Sequence, residues 1–149
     1  MNNPHGEYVS EVNHELLLFS ARGPWNDETM RKGVQTMSSH IASFDRIRRW
    51  GQLSCLYGES LMPPSTFEIF VKQTTIRRQR GLAYLAVVIL DSDISLTIRQ
   101  QVTMCYEMAG VPFGFYDSID SAMKVLANEQ FQFDPSEVAL FFKQNDFSL

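Results

Sequence analysis

The chain has 149 residues, 44% of them hydrophobic and 20% charged, with a formal net charge of −4. That length suits one domain able to bury its own core, and the composition excludes a disordered or fibrous chain. The mild negative charge argues against broad electrostatic attraction to nucleic acid or to an anionic membrane.

In chain order, residues 7–12 and 15–21 are β-prone runs around Asn13-His14, which predicts an antiparallel hairpin. Gly23-Pro24 ends the second run, and Asn26 or Asp27 can cap a helix, with Glu28 favourable in its first turn. Met30, Val34, Met37, Ile41 and Phe44 then recur at helical spacing. Residues 52–57 read as a strand, apolar in the middle and stopped by Gly58. Pro63-Pro64 precedes a second helix, whose buried stripe is expected from Phe67, Phe70, Val71 and Thr74. Its last turn holds Arg77, Arg78 and Arg80, where cations suit the helix dipole, and Gly81 ends it. These arginines, like Arg46, Arg48 and Arg49, read as solvated helix ends and turns.

Residues 83–90 are apolar on both faces and predict a strand at the centre of a helix-covered sheet. Asp91-Ser92-Asp93 is expected to cap a helix with Ile94, Ile98, Val102, Cys105 and Ala109 inward, closed by Gly110. A short strand over 111–116 and a helix capped by Asp117-Ser118 follow. Asp134-Pro135-x-Glu137 places a capping residue, a proline and a glutamate where a final helix would start. The aromatic face of that helix (Phe141, Phe142) must dock, on its own domain or on a partner subunit.

The expectation is therefore one α/β domain over 1–149, with a core at about 7–127 and a helical extension over 128–149. Its sheet is four- to five-stranded, mixed and mostly parallel, with an N-terminal antiparallel hairpin and helical cover. Crossovers between parallel strands are expected to be right-handed.

FSARGPWNDETMRKGV, residues 53–81 and FYDSIDSAMKVL, in this order and spacing, resemble the STAS superfamily, in particular its SpoIIAA-like branch, often grouped with Sec14-type domains. FSARGPWNDETMRKGV is similar to the family's second strand, glycine turn and first helix. Residues 53–81 are similar to its next strand and helix, and FYDSIDSAMKVL to its closing strand and helix. The resemblance implies a non-catalytic regulatory or protein-interaction domain, or a small module binding an apolar or lipid-like ligand. It also implies a phosphorylatable or partner-binding serine at the start of the second helix, matched here at or beside Ser65, with Thr66 and Ser60 nearby. The family's acidic-Ser-Ser run is replaced by Pro63-Pro64-Ser65-Thr66, a loop that a kinase selecting the acidic residue would not read. A phosphate at a helix N-terminus would still be favoured electrostatically.

No dinucleotide, P-loop or hydrolase-elbow motif occurs. His5, His14 and His40 share no ligand spacing with cysteines or acids, so no metal or other cofactor is expected. Cys55 and Cys105 each lie in apolar surroundings and read as buried, reduced thiols rather than nucleophiles. In an open α/β sheet the carboxyl ends of the strands are the first place to look for a ligand. Here that rim collects Gly58, Glu59, Ser60 and Ser65, then Asp91, Ser92 and Asp93, then Asp117 and Ser118.

The expected partner is a protein, with a homodimer possible and neither nucleic acid nor stable membrane insertion expected. The N-terminal MNNPHGEYVSE lacks the basic and apolar regions of a secretory signal, so a cytoplasmic location is expected. Trp25 and Trp50 read as packing caps over the sheet ends, or else as interface anchors.

Overall fold

The computed structural model describes residues 6–149. Among them, the elements run β1 (Glu7–Asn13), β2 (Leu16–Arg22), α1 (Asp27–Ala42), β3 (Trp50–Tyr57), α2 (Pro64–Gln79), β4 (Leu82–Leu90), α3 (Ser95–Ala109), β5 (Phe113–Tyr116), α4 (Ile119–Asn128) and α5 (Pro135–Gln144). They form the expected α/β fold: a five-stranded sheet in the order β1-β2-β3-β4-β5, with β1 antiparallel to β2 and every other pairing parallel.

Each parallel strand is added beside its predecessor, always in the same direction. Right-handed crossovers repeated in one direction place all the connecting helices on one face. Met37 and Ile41 of α1 and Ile98, Val102 and Cys105 of α3 accordingly share one core, with Phe67, Phe70 and Val71 of α2 packed against it. The opposite face is covered by α4 and α5, through Ala122, Leu126, Val138, Phe141 and Phe142. No helix among the described residues is long and apolar enough to cross a membrane.

With cover on both faces, the middle strand is the most enclosed. That strand is β3, whose eight residues are all buried, and not the 82–90 segment, which lies one position further out. β3 also starts earlier than expected. The Trp50 indole stacks on Phe44 at 4.6 Å and donates to the Arg80 carbonyl at 2.9 Å, which draws Trp50 and Gly51 into the strand. Trp25 is likewise buried, so both tryptophans serve packing.

Three of the expected caps form. Asn26 accepts from the Thr29 N–H at 2.8 Å, Ser118 and Ser121 make a reciprocal capping box, and Asp134 accepts from the Glu137 N–H at 3.1 Å. Gly110 ends α3 in the left-handed region (φ 77°), which a side chain would strain. Asp91 and Asp93 do not cap α3: the N-cap position falls on Ile94, with no side-chain cap, and Asp91 turns instead to Arg22 at 2.8 Å.

The aromatic C-terminal helix docks on its own domain. Phe131, Val138, Phe141 and Phe142 are buried beneath the sheet. The Asn13 side chain holds the start of α5, donating to Glu137 Oε2 at 2.9 Å and accepting from the Asp134 N–H at 2.8 Å. At its other end, Ser20 Oγ donates to the Asn145 carbonyl at 2.6 Å. Phe142→Ala should lower unfolding free energy by about 3–5 kcal/mol with an unchanged m-value in urea. An unchanged midpoint would show that α5 contributes nothing to the core.

Candidate binding cavity

Because side chains alternate across a strand, β3 presents Trp50, Gln52, Ser54 and Leu56 to the face shared with α1–α3. Its opposite side sends Leu53, Cys55 and Tyr57 toward α4 and α5. The helix side of the most enclosed strand thus carries two polar residues, Gln52 and Ser54, both buried. Above them lies a cavity of about 70 Å³. Small groups leave the space: Thr29 and Gly33 of α1, Ser54 of β3 and Ser60 of the following loop. The remaining wall is largely apolar, with Phe19, Met30, Met37, Met62, Phe70 and Val102 among its residues. Met30, Val34 and Gln73 are half-buried and mark where the cavity reaches the surface between α1 and α2. Such a volume holds roughly five waters or part of a small organic molecule.

Arg77 also lines the cavity and corrects the expectation of a solvated arginine. Only 6% of it is exposed, whereas Arg78 and Arg80 are exposed as expected. Phe67, Phe70, Thr74 and Arg77 follow at steps of three, four and three, so Arg77 completes the inward stripe of α2. Its Nη2 donates to Thr74 Oγ1 at 2.9 Å, and Thr74 Oγ1 in turn donates to the Phe70 carbonyl at 2.8 Å. Its Nε has no hydrogen-bond partner. No carboxylate among the described residues pairs with it, and residues 1–5 contain no acidic side chain. Burial lowers the Arg77 pKa, yet a guanidinium stays charged inside proteins. Gln52 leaves its Oε1 unpartnered as well, while its Nε2 donates to Ser54 Oγ at 2.9 Å.

The strand-end rim is engaged mainly with its own chain. Arg22 bridges Asp91 and the Phe147 carbonyl, both at 2.8 Å, and the Leu149 N–H donates to Asp91 at 3.0 Å. That N–H first, and Arg22 second, hold the Asp91 carboxyl below the ordinary range. A Cβ at Gly58 would lie 2.6 Å from the Arg22 guanidinium, and its φ of 65° is left-handed, so a side chain there would be strained and would displace Arg22. Ser60 is buried, donating to the Tyr57 carbonyl at 2.9 Å and accepting from the Gly23 N–H at 3.1 Å. Ser92 Oγ accepts from the Ile94 N–H at 3.2 Å, and Ser118 caps α4. Glu59, Asp93 and Asp117 are exposed at three separate strand ends.

At the start of α2, Ser65 is exposed and Thr66 buried. Both hydroxyls donate to Asp27 Oδ1, at 2.8 and 2.7 Å, clasping the N-terminus of α2 to that of α1. Thr66 first and Ser65 second hold the Asp27 carboxyl below its usual range. The anion-favouring position at this helix start is therefore already taken by a carboxylate. Among the histidines, His14 lies in the β1–β2 turn and His40 at the end of α1, while His5 lies outside the described residues.

No protein-family model and no curated protein matches the chain. What the fold and cavity define is a class: an α/β fold with an apolar, partly polar-floored pocket between its sheet and the helices of one face.

Both cysteines are free and buried, and desolvation pushes each thiol from an ordinary 9.0 up to about 11. The folded chain therefore keeps protons that the unfolded chain releases. The stability these thiols contribute is full below pH 9.0 and is lost as pH rises toward 11. Iodoacetamide at about pH 8 should leave both thiols intact in the folded protein and label both in urea; rapid labelling of the folded protein would contradict this.

Proposed function

We propose that this chain is a non-catalytic binding domain that holds an apolar small molecule in the cavity beneath α1 and α2. The observation that carries the reading is the cavity itself, about 70 Å³ with a mostly apolar wall, on the helix-covered face of the sheet. Close packing is the norm in protein interiors, and an unfilled apolar space lowers stability in proportion to its volume. A ligand that fills it recovers the dispersion contacts its walls forgo. Methionines suit the task, since Met30, Met37 and Met62 adapt their shape to the occupant. The resemblance of residues 7–127 to STAS domains fits a role in binding rather than catalysis.

Calorimetric titration with octan-1-ol tests the reading. The wild type should bind it, and Val34→Trp, which puts an indole into the mouth, should weaken binding by roughly tenfold or more. Absence of binding to the wild type, or equal binding to both proteins, would overturn it.

A second reading, regulation through a protein partner at residues 58–67, is favoured by the exposed Ser65 hydroxyl on Asp27. A phosphate on Ser65 would set a second negative group against that carboxylate and loosen the clasp between the two helix starts. Ser65→Asp should then lower the urea midpoint below that of Ser65→Ala. Equal midpoints would remove the switch.

A further inference from the structure

Building on the apolar-ligand reading, we infer that the ligand carries a carboxylate, which seats on Arg77, with an apolar tail lying along the methionine-lined wall. Three buried side-chain atoms among the described residues lack hydrogen-bond partners: Ser10 Oγ, Gln52 Oε1 and Arg77 Nε. Two of the three belong to residues lining the same cavity. Leaving a buried polar atom unpaired disfavours folding, and leaving a buried charge unpaired disfavours it more. Both residues border one space, and a polar head there can pair with Arg77 and, once the Gln52 amide rotates, with Gln52.

The charge of that head follows from Arg77. Its guanidinium has five N–H donors and, among the described residues, makes one hydrogen bond, to Thr74. The other ionisable groups nearest it are Tyr106 and Cys105, both buried and neutral, and burial raises the pKa of each. A single negative charge neutralises the site, whereas a phosphate dianion would leave a net negative charge in an apolar wall. A planar carboxylate also fits the guanidinium fork with paired hydrogen bonds.

Gln52 accommodates such a head by rotating its terminal amide. Its Oε1 would then accept from the Ser54 hydroxyl, leaving Nε2 to donate into the cavity. Arg77 sits where this cavity adjoins a second, of about 50 Å³, that shares Val34, Met37 and Gln73 with it. Met62, just before α2, lines the far end from Arg77 in its last turn, so head and tail have separate ends.

The test compares sodium octanoate with octan-1-ol, equal in chain length and different in head, by calorimetry on wild type, Arg77→Met and Arg77→Lys. The wild type should bind octanoate at least tenfold more tightly than octan-1-ol. Arg77→Met should lose that preference while still binding the alcohol, and Arg77→Lys should keep part of it. Because Met removes an unpaired buried charge at similar volume, the variant should melt no lower than wild type. Equal binding of both compounds by the wild type, or an undiminished octanoate preference in Arg77→Met, would overturn the carboxylate inference and leave the apolar-ligand reading standing. Failure of both compounds to bind the wild type would overturn both.

Discussion

The handedness of the strand crossovers governs this molecule. β2 to β5 are laid side by side in one direction, so α1, α2 and α3 must all lie on the same face of the sheet. That leaves the other face bare unless the chain supplies more helix after β5. It does so with α4 and α5, whose Leu126, Val138, Phe141 and Phe142 cover Leu16, Leu18 and Leu53. The C-terminal extension is therefore part of the core and not an appendage. The same constraint encloses β3 from both sides, so any polar side chain on it is cut off from water.

Gln52 and Ser54 occupy that position, and Arg77 reaches the same space from α2. Each unpaired buried polar group costs about 1–3 kcal/mol, and an unpaired buried charge more. Apolar residues of similar volume would be at least as stable at Gln52 and Arg77, whose Oε1 and Nε are unpaired. An arrangement that works against stability in this way is typical of sites shaped for a ligand. The contrast with the rim is direct, since Arg22 and Asp91 there satisfy one another.

The architecture was legible because local signals agreed with the global fold. Asn26, Ser118 and Asp134 act as the caps their side chains suggest, and the hairpin and parallel strands pair as the apolar runs imply. The Asp91–Asp93 turn misled because a carboxylate after a strand suits a cap equally well as an ion pair, and Arg22 is 69 residues away in sequence. The cavity was hidden for a different reason. Arg77 stood among three arginines in a helix's last turn, where exposure is usual, although its spacing from Phe70 and Thr74 already put it on the inward stripe. Gln52 and Ser54 read only as members of a strand over 52–57, with nothing local to mark them as enclosed. Their burial depends on helices on both sides, a consequence of topology that no local window carries.

In the proposed site, Arg77 and Gln52 form the head-group end beneath α1 and α2. Its most direct measurement is a proton–nitrogen correlation spectrum of the full chain, observing the Arg77 Nε–H and the Gln52 side-chain amide as octanoate is added. These two signals should move together, saturate at a common concentration, and be joined by the Met30, Met37 and Met62 methyl signals in a companion proton–carbon spectrum. Shifts confined to the strand-end rim around Gly58, Asp91 and Asp93, with the Arg77 and Gln52 signals unmoved, would contradict it.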